Sequence, residues 1–253
     1  MTRLIWLAGE LAMGATRFTW MRRSLRGPMS LAAQTDWLHE TAKGLLGPLH
    51  IKVNVSGPIP TAGLLVCNHL SYIDIVALAS ICPAVFVSKS DVKDYPVFGW
   101  FARKGGAIFV DRRRRSQAGR ANAEILEALE SGALVVLFPE GTSSGGESVQ
   151  PFKSALLEPA ARARRPLFGG LLRYEIDDGD VAEEVCYWKD HTLAAHMINM
   201  LGKREIRCDV HFTRIRSASA DRKELAQQLH FEVSALRNAG REKIVSMSGK
   251  PAE

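Results

Sequence analysis

The run Gly63-Leu64-Leu65-Val66-Cys67, followed at once by Asn68-His69-Leu70-Ser71-Tyr72-Ile73-Asp74, decides how the rest of the chain is read. A short apolar run opened by glycine is too brief for a buried helix and suits a strand covered on both faces. The polar pair Asn68-His69 ends that strand, and helical text follows from Tyr72 to Ile81. Strand, polar turn and helix form the repeating unit of an α/β sheet.

Working outward, the same alternation recurs. Strands are expected at 51–56, 84–88, 107–110, 133–138, 167–174 and 206–212, and helices at 97–104, 115–131, 154–164 and 221–238. Ala121, Ile125, Ala128 and Leu129 share one helical face, and Gly132 closes that helix. Leu225, Leu229, Val233 and Leu236 repeat the pattern near the end of the chain. The expected fold is α/β, a mixed central sheet covered by helices. Residues 175–205 carry no readable period, and 241–253 read as a flexible tail.

Ahead of the sheet, Leu4, Leu7, Ala8, Leu11, Ala15 and Phe18 fall on one face of a helix. Ile5, Trp6, Met13 and Trp20 widen the apolar surface, while Arg3, Glu10 and Arg17 form a narrow polar seam. Arg22, Arg23 and Arg26 follow, and Gly27-Pro28 ends the segment. A second helix is expected over 31–46, with Gly47-Pro48 as its stop. Apolar breadth, two tryptophans and a basic trio suit a membrane-associated helical pair over 1–46, lying in the headgroup region. Packing on the domain's own core, or on a second copy, is the alternative. No stretch has the roughly 20 apolar residues of a spanning helix.

At 253 residues the remainder, 47–240, fits one domain. Thirty-three Lys and Arg against 27 Asp and Glu leave a charge of +6, which favours an anionic partner. No zinc-finger or RRM-like pattern accompanies that charge, so nucleic acid is not expected and an anionic membrane surface is. Cys67, Cys82, Cys186 and Cys208 show no C-x-x-C spacing and read as buried thiols of a reducing compartment.

Three strand ends carry chemistry. His69 and Asp74 would stand about 140° apart on a regular helix, yet meet if His69 lies in the turn and Asp74 in the first helical turn. Asp74 then orients one ring nitrogen and leaves the other free to take a proton. The competing reading is Ser71-x-x-Asp74 as a capping box with His69 a bystander. The second end, Gly106-Ala107-Ile108-Phe109-Val110-Asp111-Arg112, offers a guanidinium that matches a phosphate, or plain surface charge beside Arg113–Arg115. The third, Phe138-Pro139-Glu140-Gly141-Thr142, stops a strand with proline and permits a turn at glycine.

In this order the three blocks resemble the glycerolipid acyltransferase family, which includes the lysophosphatidic acid acyltransferases. The resemblance runs from about Ile51 to Tyr174 and takes in Lys89 and Lys153, where the family tends to carry lysines. It implies an O-acyltransferase with His69 as general base and Asp74 as orienter. Lys89, Asp111, Arg112, Glu140, Gly141, Thr142 and Lys153 are implied around the substrates. It further implies an acyl thioester donor, either acyl-CoA or acyl carrier protein, and a lysolipid acceptor, with lysophosphatidic acid first. The reaction so implied needs neither metal nor cofactor and belongs at the cytoplasmic face of a membrane, peripheral or monotopic.

Two departures stand out. The family usually continues its third block with arginine where this chain has Ser143, and a later proline pair is broken, with Pro166 present and Gly169 in the second place. Losing a cation there points to a lyso-ornithine lipid as the alternative acceptor. Gly141-Thr142-Ser143-Ser144-Gly145 also fits the serine-hydrolase pattern G-x-S-x-G, with Asp177 and His191 in chain order. The text after it reads as loop, where a nucleophile elbow needs a helix. A non-enzymatic peripheral membrane protein accounts for the charge and the first helix but not for the three strand ends.

Overall fold

The structure, a computed structural model, describes residues 2–111 and 115–248. Two helices come first, α1 (Thr2–Ser24) and α2 (Leu31–Leu49). The α/β body then runs β1 (Ile51–Ser56), β2 (Gly63–Cys67), α3 (Ile73–Ile81), β3 (Val85–Lys89), α4 (Phe98–Lys104), β4 (Ile108–Val110), α5 (Arg115–Glu130) and β5 (Leu134–Leu137). It continues through α6 (Glu158–Ala163), β6 (Leu167–Glu175), α7 (Val181–Glu184), α8 (Leu193–Gly202), β7 (Ile206–Ile215) and α9 (Arg222–Ser248).

The strands form one sheet in the order β1-β7-β6-β2-β5-β3-β4. Every pairing is parallel except β6 with β7, so the expected mixed α/β sheet is what forms. The continuous apolar runs are explained by burial on both faces. Leu65 and Cys67 of β2 point into the core under α3, whereas Leu64 and Val66 point into the core under α5, α6 and α9. From β2 the chain crosses towards β3, and from β5 it crosses to β6 on the other side of β2. The carboxyl ends of β2 and β5 therefore flank a crevice where the connections diverge, the usual location for a ligand in such sheets.

Several boundaries differ from the sequence reading. Helix α2 runs through Gly47-Pro48 and closes at His50, whose φ is 52° and whose N–H meets the carbonyls of Gly47 and Leu46. Pro48 sits in the last turn, where only one carbonyl loses its donor. Gly47 is needed for close approach instead, because a Cβ there would lie 2.7 Å from the Trp6 ring. The single helix expected over 154–164 is split into one 3₁₀ turn and α6, because Pro159 starts a helix but cannot continue one. At the carboxyl end, α9 continues past Asn238 to Ser248, so the segment expected as a tail is helical that far; 249–253 lie outside the described residues.

Helices α1 and α4 meet α2 at an aromatic cluster. Trp37 is 1% exposed, stacks on Phe101 with centroids 5.5 Å apart, and donates its indole N–H to the Gly14 carbonyl at 2.8 Å. Phe18 and Trp100 close on Trp37 edge-on. On α1 itself Leu7, Gly14 and Phe18 face inward, while Leu4, which shares their predicted stripe, faces out with Ile5, Met13 and Trp20.

Candidate active site

Asn68 extends β2 by one rung without backbone. Its side-chain amide donates to the Leu172 carbonyl at 3.0 Å and its oxygen accepts the Leu172 N–H at 2.8 Å, so β6 stays bonded while the main chain turns away. That leaves His69 at the crest of the turn. His69 Nδ1 lies 2.7 Å from Asp74 Oδ2, and the same oxygen accepts the amides of Leu70 at 2.7 Å and Ser71 at 3.0 Å. The capping box is therefore only half made: Asp74 reaches back to the turn amides, but the Ser71 hydroxyl is buried with no partner among the described residues. The other carboxylate oxygen, Oδ1, accepts the Tyr174 hydroxyl at 2.7 Å.

Asp74 is fully buried, while the His69 side chain keeps 23% exposure. The ring lies flat on Phe138 at the end of β5, with centroids 4.3 Å apart and planes at 20°. Nδ1 donates inward, and no protein group among the described residues bonds Nε2. Such a histidine presents one basic nitrogen to a crevice, held in a fixed tautomer by a buried carboxylate.

Glu140 follows two residues after Phe138 and is 3% exposed. One oxygen accepts the Gln150 amide at 3.2 Å, and the other has no partner among the described residues. Burial lifts its carboxyl to about 8, against the pull of the Gln150 and His69 amides. Glu140 is thus enclosed in the turn, not presented to a headgroup. Gly141 has φ +80°, a region that glycine enters without strain, and its N–H is taken by the Phe138 carbonyl at 3.2 Å. That amide, expected to face an oxyanion, closes the turn instead.

Lys89 ends β3 and pairs with Asp91 at 2.6 Å. Asp111 directly follows β4, whose Val110 lies in register with Lys89, so the two reach the same edge. Thr142 and Lys153 are exposed, and the Lys153 amide meets the Pro139 carbonyl at 2.9 Å. Arg112 lies outside the described residues. The edge beside β2 and β5 thus gathers His69, Asp74, Glu140, Gly141 and Thr142, with Lys89, Asp111 and Lys153 flanking them.

Residues 175–205, unreadable in sequence, supply a brace. The Tyr187 amide donates to the Leu70 carbonyl at 2.8 Å, the Ser143 hydroxyl donates to the Tyr187 carbonyl, and the Ser144 amide meets the His69 carbonyl at 3.0 Å. The hydrolase arrangement is not made. Residues 141–153 contain no helix, Asp177 is held by Arg207 at 2.7 Å, and no hydrogen bond joins Ser143 to His191 among the described residues. All four cysteines are free and buried. Tyr174 was the side chain that spacing did not single out, although a tyrosine ending an apolar strand two residues beyond Leu172 was a visible signal.

Comparison with known proteins agrees with this geometry. A family model described as Acyltransferase matches residues 50–169. The lyso-ornithine lipid O-acyltransferase of Pseudomonas aeruginosa is 32% identical over 232 residues, covering 88% of this chain and 87% of that protein. The 1-acyl-sn-glycerol-3-phosphate acyltransferase of Neisseria meningitidis serogroup B is 29% identical over 209 residues, covering 78% and 79%. Among solved structures, the 1-acyl-sn-glycerophosphate acyltransferase PlsC of Thermotoga maritima shares the fold, with a TM-score of 0.62 over 98% of both chains at 18% identity.

Proposed function

Since the chain belongs to the acyltransferase family, as a lysolipid acyltransferase, we propose that His69 is the general base of the transfer and Asp74 the carboxylate that orients it. The observation that carries this reading is the 2.7 Å contact between His69 Nδ1 and Asp74, with Nε2 turned to the crevice. Nε2 takes the acceptor's hydroxyl proton as that oxygen attacks the thioester carbonyl. The tetrahedral intermediate collapses, the C–S bond breaks, and the thiolate recovers the proton from the imidazolium. A positioned base contributes about 10²–10⁴-fold to such a step, and holding the two substrates together supplies more. The donor is an acyl-CoA or an acyl carrier protein.

For the acceptor we favour a lyso-ornithine lipid. The place of the family's arginine is taken by Ser143, whose hydroxyl is spent on the Tyr187 carbonyl. An aminolipid carboxylate carries one negative charge, against nearly two on a phosphate monoester, and asks for fewer cations. The relatives of that activity include one 32% identical over 88% of the chain. Lysophosphatidic acid is the second reading, favoured by the Neisseria relative and by Lys89 and Lys153 beside the crevice. An acyl-transfer assay with both donors against a panel of lysolipids decides between them. Transfer to lysophosphatidic acid alone would displace the first acceptor, and no transfer to any lysolipid would displace the mechanism.

The α1–α2 pair is the membrane-facing part, at the cytoplasmic face and without a span. No helix among the described residues is long and apolar enough to cross a bilayer. What supports docking is the inverted orientation of α1. Its seam residue Arg3 donates to the Leu201 carbonyl at 2.9 Å, and Glu10 and Arg17 line a groove against α2, while Ile5, Met13 and Trp20 are turned outward. The hydroxyls of Thr16 and Thr19 fold back on the carbonyls of Ala12 and Ala15 at 2.8 and 2.9 Å, which leaves few polar groups seeking water. Arg22, Arg23 and Arg26 at its end suit an anionic surface.

A further inference from the structure

The carboxylate of Asp74 has one oxygen crowded and one served by a single side chain. Oδ2 accepts the His69 ring and the amides of Leu70 and Ser71; Oδ1 accepts the hydroxyl of Tyr174 at 2.7 Å. A carboxylate turns readily about its Cβ–Cγ bond, so donors on one oxygen alone leave its plane loosely set. A donor on the second oxygen fixes that plane, and with it the direction of the lone pair that meets Nδ1.

We propose that Tyr174 is a positioning residue of the acyl transfer, setting the Asp74 carboxylate so that it holds His69 in its working tautomer and orientation. The inference rests on the dyad reading given above. Tyr174 is itself rigidly placed. It lies near the carboxyl end of β6, its backbone is in register with Cys208 of β7, and it is 3% exposed. The sheet, not the loop, therefore aims the hydroxyl at Asp74, across 100 residues of chain. Burial holds the phenol far above its ordinary titration, so it stays a donor throughout the working range.

Asp74 is faced by His69 and Cys67 from β2 and its turn, by Glu140 after β5, by Cys186 between α7 and α8, and by Tyr174 and Cys208 across the sheet. Burial pushes the thiols upward, Cys186 to about 12, and Glu140 titrates at about 8. Neither thiols nor Glu140 lie on the acidic side of the pH–rate profile, where the effect of Tyr174 is to be read.

Removing the hydroxyl alone, by Tyr174→Phe, leaves the ring's packing in place. In full-length protein we expect kcat to fall about 10-fold or more with the acceptor KM little changed, as when an outer hydrogen-bond partner of a working histidine is lost. The acidic limb of kcat/KM should move to higher pH, because a carboxylate relieved of one donor attracts the protonated ring more strongly. Added to Asp74→Asn, the change should cost nothing further. A wild-type rate and unmoved limb in Tyr174→Phe, with His69→Ala inactive, overturns this inference alone. So does a lowered rate with an unmoved limb and full additivity, which marks a structural role. Activity retained by folded His69→Ala overturns the dyad and this inference together.

Discussion

The imidazole of His69 lies on the ring of Phe138, 4.3 Å between centroids, so the turn after β2 rests directly on the end of β5. The contact joins two strand ends that are 69 residues apart in sequence but neighbours in the sheet. It keeps the ring from tipping out of the plane in which Nδ1 meets Asp74.

His69→Ala should lose about 10²-fold or more of the transfer rate while melting like the parent protein, as expected for loss of a general base. Asp74→Asn should be similarly impaired. Ser143→Ala should keep most of its activity, since its hydroxyl serves only a main-chain contact. Steady-state rates and melting curves on the three variants check this, and a folded, active His69→Ala would refute the mechanism.

Phe138→Leu keeps an apolar neighbour but removes the flat support. Its kcat should fall about 10-fold with little change in KM, because orientation of the base is lost and not substrate binding. Equal kcat in the two proteins would show that Asp74 alone is enough to hold the ring.

Ser143→Arg places a guanidinium where relatives of the phosphate-acceptor type carry one and breaks the bond to the Tyr187 carbonyl. Acylation of lyso-ornithine lipid should fall, because the new cation faces the acceptor's own amine, and any activity on lysophosphatidic acid should rise. Competition between the two acceptors in one assay reads the switch. A parallel fall in both would show that only the brace was damaged.

Glu140 gives a stability prediction with a defined sign. Its carboxyl titrates near 4.5 in the unfolded chain and at about 8 when folded, so in between the folded protein keeps a proton the unfolded chain has lost. Its contribution is complete below the lower value and lost as pH rises to the upper one, on the order of 4 kcal/mol in all. Glu140→Gln removes that slope. The variant and parent should melt alike near pH ~5, and the variant should melt higher near pH ~9. Parallel curves across that range would mean that Glu140 is ionised when folded.

Full-length protein should sediment with anionic vesicles, and high salt should weaken the binding without abolishing it, because apolar insertion adds to charge attraction. Replacing the outward pair by Ile5→Asp and Trp20→Asp should release it without altering the melt. Unchanged sedimentation would assign attachment to another surface.

What was legible in the sequence was local. Gly63–Cys67 announced a strand buried on both faces, and the spacing of His69 and Asp74 allowed a turn-and-helix contact because only five positions separate them. Three strand ends fall on one edge because parallel strands share a direction. The remainder depends on partners far along the chain. Nothing in the neighbourhood of Asp74 announces Tyr174, and nothing beside Ser143 announces Tyr187. The reversal of β7 against β6 rests on side-chain packing that no period records. Pro48 and Pro159 misled in opposite senses, since a proline's effect depends on which turn of a helix it occupies.

Strand β1 bonds to β7 alone, as Asn54 and Asp209 show across a separation of 155 residues. Helix α1 likewise gains its Arg3 bonds only once Leu201 and Lys203 exist. A chain emerging from the ribosome amino-terminus first must therefore keep both waiting, because such distant pairings form late. Through most of synthesis the outward face of α1 has lipid as its first available partner, and the chain is tethered before its sheet can close. Nascent chains arrested before Ile206 are expected to bind vesicles while their sheet remains open to protease.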